Sequence, residues 1–327
     1  MAYVDAEKWF RTNTFHHSQF KDIVKLVKLK RKKKLKISLA FPTLNEEETI
    51  GKEITVIKSY LMSRYPLIDE IAVIDSGSDD RTLEVARNAG AKVYLSSDIL
   101  PNCGSYRGKG ENLWKSLYVL EGDIIVWIDA DIKNIHSKFV YGLVGVLLHY
   151  DDVGYVKAFY ERPIGVGERL RPAGGGRVTE ILIRPLLATF YPQLSLLMQP
   201  LSGEYAGRRT ILENIPFRVG YGVETGHLLD IFDKYGLNIF AQVDMDRRVH
   251  RNQTLAALGK MSFAILQTFI SRLKDSKRIV LATDMYEELA SIKAKRYVHV
   301  PKKEKLEYYE RPPIITIKEY RRKRWLD

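Results

Sequence analysis

Two aspartates one residue apart, Asp129 and Asp131 in "VWIDADI", follow an apolar run with β-branched members. Carboxylates at i and i+2 on a turn after a buried strand can both face one hard cation and leave its other positions to phosphate oxygens and water. The same spacing also makes an ordinary polar strand end. Upstream, "YRGKGENLW" places glycines on both sides of Lys109, directly ahead of a predicted helix. Such a start offers close backbone approach and free N–H groups to a phosphate. It is not a Walker A sequence, because the following Ser/Thr and the upstream glycine spacing are missing, and alone it is also a glycine-rich turn with an exposed lysine. "AGGGRVT" sets flexible N–H groups beside a guanidinium and a hydroxyl, a set suited to an acceptor bearing phosphate and carboxylate. His250 in "RVHRN" taken alone reads as a structural histidine. Glu224 in "GYGVETG" fits a carboxylate facing a helix dipole as well as a catalytic one.

These residues need elements to hold them. "KISLAFP", "IAVIDSG", "AKVYLSS" and "DIIVWIDAD" read as short buried strands, separated by the helical patterns in "TLNEEETIGKEITVIKSYL", "SDDRTLEVARNAG" and "ENLWKSLYVLEG". Thr43 and Glu46 stand in capping-box relation, and Gly90 closes the second helix. Strands alternating with helices imply right-handed βαβ units and a mostly parallel sheet, with ligands at the carboxyl ends of the strands. "FPTLNE", "DSGSDD" and "DAD" are therefore expected on one rim. Further on, "VGYVKAFYERP" and "LNIFAQVDMD" read as strands, "TEILIRPLLATFYPQL" as a helix interrupted near Pro185, and "LAALGKMSFAILQTFISRL" and "ATDMYEELASIKAKR" as helices.

The chain has 327 residues, 45% of them hydrophobic, enough for one large α/β unit with appendages. No apolar run is long enough to span a bilayer, the N-terminus lacks the layout of a secretion signal, and the single cysteine, Cys103, excludes an internal disulfide and fits a reducing cytoplasm. Residues 21–36 carry nine Lys/Arg against one acid and residues 301–327 nine against five, so these two segments hold the whole net charge of +12. The body is balanced, and anions must be attracted by local arrangement. "KLVKLKRKKKLK" is read as a solvated extension, as a basic amphipathic helix contacting an acidic membrane or partner, or as a nucleic-acid contact; no aromatic residue is interleaved for base stacking.

Taken together, "PTLNEEETI", "DSGSDDRT", "RGKG" and "DAD" resemble the nucleotide-sugar half of a GT-A glycosyltransferase. "GGGRVTE", "PLSGEYAGRR", "GYGVETG" and "AQVDMDRRVHRNQ" narrow the resemblance to the glucosyl-3-phosphoglycerate synthase family, over about residues 36–272. The resemblance implies a GT-A fold, an α/β Rossmann-like, mixed but mostly parallel sheet flanked by helices, with a helical C-terminal part. It divides the chain into a basic N-terminal extension (1–35), a nucleotide-sugar-binding half (36–150), an acceptor-binding half of the same unit (151–275) and a helical or extended C-terminal segment (276–327) in possible dimer contact.

The resemblance also implies roles. Pro42, Thr43, Leu44, Asn45, Glu46 and Ser76 match the segments holding uridine and ribose, and Lys109 the lysine associated with the nucleotide. Asp129, Ala130 and Asp131 match the metal triplet, with His250 as the distant third protein ligand, and Arg248 lies near the diphosphate. Leu201, Tyr221 and Glu224 surround the donor sugar. Gly176, Arg177, Val178 and Thr179, with Asn252, form the 3-phosphoglycerate site. Family members often carry Ala at Thr43 and Ser at Ala130, positions that act mainly through backbone.

The implied reaction is transfer of glucose from a nucleoside diphosphate, with UDP-glucose expected, to the 2-hydroxyl of 3-phosphoglycerate with retention, the first step of glucosylglycerate (compatible-solute) synthesis. It implies a divalent cation, Mg²⁺ or Mn²⁺, with Asp131, Glu224 and Arg248 as the catalytic set. It further implies a cytoplasmic homodimer with no nucleic-acid partner. The competing readings are mannosyl transfer to the same acceptor, sugar transfer to a polyprenyl phosphate with the basic N-terminus as a membrane contact, and a basic nucleic-acid-binding protein.

Overall fold

The computed structural model describes residues 2–162, 164–166, 169–171, 176–249, 254–295, 298–306 and 309–325. An 8-stranded sheet runs in the order Thr14–His16, Phe240–Arg247, Tyr155–Glu161, Tyr205–Arg208, Ile124–Trp127, Ile37–Thr43, Glu70–Asp75, Lys92–Leu95. Neighbours are parallel except at Tyr205–Arg208, which is antiparallel to the strands on either side. Ile37–Thr43, Glu70–Asp75 and Ile124–Trp127 are adjacent, with Thr43 opposite Asp75 and Ala40 opposite Trp127. Their polar ends therefore meet on one rim, as expected. Glu70–Asp75 and Ile124–Trp127 are buried throughout. That is why they read as unbroken apolar runs and not as alternation.

Helices cover both faces. Alternate residues of Ile37–Thr43 divide between two apolar clusters. Leu39 and Phe41 pack with helices Ile50–Lys58 and Lys138–His149. Ala40 belongs to the other cluster, which helices Lys109–Val119, Val223–Tyr235 and Leu255–Asp275 help to form. Gly90 closes Thr82–Ala89 at φ +88°, the left-handed cap its position in the sequence predicted.

Four expectations change. Thr43 and Glu46 form no capping box: Thr43 ends the strand, its hydroxyl donating to Asp75 at 2.8 Å, and the helix starts at Ile50 after Thr49. Pro185 does not break a helix. It lies inside a helical run over 177–190 that changes from the π-helical Thr179–Ile183 to the α-helical Arg184–Phe190 beside it, so the irregularity expected near Pro185 is a change of helix type and not a break. "ATDMYEELASIKAKR" is not helical but supplies Glu288–Lys295, paired antiparallel with Val298–Lys305. There Glu288 faces Lys305 and contacts Lys303 at 3.5 Å, so cross-strand charge pairing outweighs a helix propensity that no packed face supports.

The fourth concerns the basic N-terminus, which is built into the sheet instead of extending from it. Thr14–His16 forms the edge strand beside Gln242–Asp244, and the Trp9 indole donates to the Phe240 carbonyl at 2.9 Å. Ile23, Leu26, Val27 and Lys30 are the buried stripe of helix Ile23–Lys33. Lys30, one of the lysines in the basic run, is itself buried and paired with Asp69 at 2.7 Å. The C-terminal segment also docks. Arg311 makes a bidentate pair with buried Glu111 at 2.7 Å and 2.7 Å, and the Tyr320 hydroxyl donates to Glu213 at 2.7 Å.

Trp9→Ala tests the docking of the N-terminal segment. Loss of this buried ring is expected to cost about 3–5 kcal/mol in urea unfolding, whereas an appended segment would give a change near zero.

Candidate active site

The Asp129–Asp131 turn is clamped from behind. The Thr49 hydroxyl donates to the Ala130 carbonyl, and Glu53, fully buried on helix Ile50–Lys58, accepts the Ile132 amide at 2.7 Å. Burial pushes the Glu53 carboxyl well above its usual range, and the nearby Asp131 charge adds to this. Asn134 then ties the turn to the end of strand Phe240–Arg247. Its carbonyl oxygen accepts the Val249 amide at 2.7 Å, its amide donates to the Arg247 carbonyl at 2.8 Å, and the Lys133 amide donates to the Val249 carbonyl at 3.0 Å. This junction brings Arg248 to the aspartates.

Buried Arg248 reaches Asp131 at 2.6 Å, Glu204 at 3.2 Å and Asp129 at 3.3 Å. The Tyr160 hydroxyl accepts from Arg248 at 3.3 Å and from Arg162 at 2.9 Å, and donates to Glu204. Lys109 stands between Asp129, 2.5 Å away, and Glu224, 2.7 Å away. Burial raises the Asp129 carboxyl, but Lys109 and Arg248 more than reverse it and hold the group below the ordinary carboxylate range. Burial also works against the Lys109 ammonium, and Asp129 and Glu224 overcome it, keeping the lysine charged. At Glu204 burial wins and the carboxyl is raised. Asp129 fits because residue 203 is glycine: a Cβ there would lie 1.9 Å from its carboxylate.

The glycines around Lys109 act differently from the expectation. A Cβ on Gly108 would meet the Val219 carbonyl at 2.4 Å, and one on Gly110 the Arg218 carbonyl at 1.6 Å. They seat the helix start against another backbone segment, and the Glu111 amide is taken up by the Val219 carbonyl at 3.1 Å. The lysine side chain, and not an open helix end, faces the site.

On one side, Pro42 and Glu46 line the cleft together with Lys109, Asp129, Ala130 and Asp131. Thr43 is buried behind them, holding Asp75, whose carboxylate also accepts the Gly77 and Ser78 amides at 2.8 Å and 2.7 Å. Asn45 adopts φ +59° and meets Ser78 at 2.8 Å, while Ser76 donates to Asn112 at 2.9 Å. Leu44 is exposed beside them. Thus Thr43, Asn45 and Ser76 shape the rim, and Pro42 and Glu46 face the cavity.

On the other side, Gly176, Arg177, Val178 and Thr179 line the same cleft, as do Leu201, Tyr221, Glu224 and Arg248. Gly176 has φ +78°, which glycine adopts without strain, and its carbonyl accepts the Glu180 amide at 3.0 Å. Glu224 lies in the first turn of helix Val223–Tyr235, the position the dipole reading requires, and it also lines the cleft. His250 and Asn252 lie outside the described residues.

Several residues that build the cleft carry no signal in the sequence. Glu204 and Tyr160 contact the Arg248 guanidinium, and Arg162 holds the Tyr160 hydroxyl; Tyr160 and Arg162 sit at a strand end that carries no motif, and Glu204 sits in "PLSGEYAGRR" with no role read for it. Lys157 is fully buried, its ammonium donating to the Ser202 carbonyl at 2.8 Å and lying 4.3 Å from the Tyr205 ring centre. Burial pulls it down to about 7, and it braces the loop carrying Leu201 and Gly203. Helix Leu255–Asp275 closes the cleft with Leu258, Met261 and Ile265, residues that in sequence are only an amphipathic stripe. Asp129 and Asp131 converge at the cleft, where Lys109 and Arg248 now occupy their oxygens, and a pair of carboxylates is a set suited to a hard divalent cation.

Comparisons with known proteins agree with this geometry. The family model described as glycosyl transferase family 2 matches residues 38–221. A glucosyl-3-phosphoglycerate synthase of Petrotoga mobilis is 58% identical over 310 residues, 95% of each chain. A crystal structure of the Mycobacterium tuberculosis glucosyl-3-phosphoglycerate synthase with Mn²⁺, UDP-glucose and phosphoglyceric acid superimposes with TM-score 0.81 at 39% identity, covering 94% of this chain and 99% of that one. The mannosyl-3-phosphoglycerate synthase of Rubrobacter xylanophilus gives TM-score 0.86 at 36% identity, covering 94% and 97%. The chain belongs to glycosyl transferase family 2, as a nucleotide-sugar glycosyltransferase of the glucosyl-3-phosphoglycerate synthase family.

Proposed function

We propose that the protein transfers glucose from UDP-glucose to the 2-hydroxyl of 3-phosphoglycerate with retention of the α configuration. The observation that carries this reading is one cleft with Asp129, Asp131 and Arg248 on one wall and Gly176–Thr179 on another. A relative of the same fold holds a metal ion, the nucleotide sugar and phosphoglyceric acid together. Asp129 and Asp131 would hold a divalent cation, Mg²⁺ in the first instance, with His250 as the implied third ligand. When bound, the ion supplies positive charge to the departing diphosphate.

The chain's own residues do the rest. Arg248, charged and buried, lies beside the carboxylate pair where diphosphate charge develops. Arg177, with the backbone at Gly176–Thr179, binds the phosphate and carboxylate of the acceptor. Glu224 is held by Lys109 at 2.7 Å, which blunts it as a nucleophile and suits it to orient sugar hydroxyls. The acceptor hydroxyl attacks from the face the diphosphate leaves, and its proton passes to a diphosphate oxygen. The cytoplasmic homodimer and the place in glucosylglycerate synthesis belong to the same proposal. Among the described residues no helix is long and apolar enough to cross a membrane.

The likeness to a mannosyl-3-phosphoglycerate synthase supports a second reading, mannose from GDP-mannose to the same acceptor. A matrix of UDP-glucose and GDP-mannose, with and without 3-phosphoglycerate and EDTA, separates them. Turnover is expected with UDP-glucose and 3-phosphoglycerate and is lost in EDTA; preference for GDP-mannose would favour the second reading, and transfer to neither acceptor-containing mixture would overturn both.

Asp131→Ala is expected to lower kcat by at least about 10²–10³-fold, the scale of losing one preorganised charge contact. Unchanged turnover with the same metal requirement would remove Asp131 from the site. Gly203→Ala should displace the Asp129 carboxylate and raise the metal concentration needed for half-maximal rate, while thermal unfolding shows the fold intact. Intact-mass analysis during turnover should find no glucosyl adduct on Glu224; finding one would replace same-face attack with a covalent route.

A further inference from the structure

Outside the cleft, at the edge of the sheet, His16, His17 and Asp246 meet. One donor atom from each lies within 4.8 Å of the other two. His16 Nε2 is 2.9 Å from one Asp246 oxygen and His17 Nε2 is 2.6 Å from the other. The opposite nitrogen of each ring faces a hydroxyl: His16 Nδ1 lies 2.7 Å from Ser18 Oγ, and His17 Nδ1 lies 3.2 Å from the Tyr141 hydroxyl. Both rings are thus held with Nε2 turned to one carboxylate. This is the outer-sphere pattern of metal-ligating histidines, in which the distal ring nitrogen is hydrogen-bonded and fixes the tautomer.

We propose that His16, His17 and Asp246 form a binding site for a borderline divalent transition ion such as Zn²⁺. Two imidazoles and a carboxylate match the two-nitrogen, one-oxygen sets that Zn²⁺ takes, with water as the fourth ligand. Asp246 is exposed and His16 partly so, which leaves room for that water. Zinc-ligand distances near 2.0–2.1 Å put neighbouring donors about 3.3 Å apart, so the present 2.9 Å and 2.6 Å contacts open by about 0.4 Å and about 0.7 Å. Binding places the His16 ring proton on Nδ1, where Ser18 Oγ accepts it, in exchange for the longer 3.3 Å contact from the Ser18 amide.

One group competes with the ion. Lys138 Nζ lies 2.5 Å from Asp246 Oδ2 and already supplies positive charge there. Binding of Zn²⁺ must displace this ammonium. The site would tie the edge strand Thr14–His16 and the turn after it to the end of Phe240–Arg247, two residues before Arg248. Its donors differ from the carboxylate pair in the cleft, which suits harder ions.

The test uses the full chain, stripped with EDTA, held in excess Mg²⁺ and titrated calorimetrically with zinc chloride. The wild type is expected to bind one Zn²⁺ per chain, the His16→Ala/His17→Ala variant to bind it at least about tenfold more weakly, and Lys138→Met to bind it more tightly because the competing charge is gone. Zinc K-edge absorption on the wild type gives an answer even where the histidine variant does not fold: two imidazole nitrogens are expected. One or none, unchanged affinity in the double variant, or no tightening in Lys138→Met overturns the assignment.

Discussion

A guanidinium buried among carboxylates organises this molecule. Arg248 is almost fully buried, and a charge in that position persists only with partners close by. It finds them on two segments that the fold brings together, the Asp129–Asp131 turn after Ile124–Trp127 and Glu204 at the start of the neighbouring antiparallel strand. Glu204 leads into Tyr205–Arg208, so one side chain joins three strand ends. The backbone contacts of Asn134 and Lys133 with residues 247–249 set the height at which it enters. Remove the guanidinium and the carboxylates face one another in a region of low dielectric, where mutual repulsion is poorly screened.

The sheet was legible where both chemistry and pattern were local. Buried parallel strands announce themselves as apolar runs, and their polar ends, from Pro42 to Asp131, were readable as one rim before any coordinate. The cleft brings together Lys109, Asp129, Asp131, Glu224 and Arg248, residues separated by more than a hundred positions, and the family resemblance had named each of them. Glu53, Lys157, Glu204 and Asn134 were not legible. Each is a polar residue whose partner is fixed by a crossing elsewhere in the chain, and neither spacing nor composition records a crossing.

The misreadings share a cause. A glycine can serve a ligand or a neighbouring backbone, and Gly108 and Gly110 serve the backbone of residues 218–219. A lysine-rich helix can be solvated on one face and buried on the other; at Ile23–Lys33 the buried stripe of Ile23, Leu26 and Val27 extends to Lys30. Thr43 has the local spacing of a cap, but its hydroxyl is claimed by Asp75 on the adjacent strand. In each instance tertiary contact decided between two local meanings of the same residue.

The edge strand has a consequence for the order of assembly. Trp9 donates to a carbonyl 231 positions later, and Thr14–His16 pairs with a strand that is synthesised near the end of the catalytic unit. Residues 9–16 are therefore synthesised long before the strand they pair with and are among the last to find their place. Until Phe240–Arg247 exists, the lysine-rich helix and the aromatic residues before it wait without their native partners, and like charge along that helix keeps nascent chains apart during the delay.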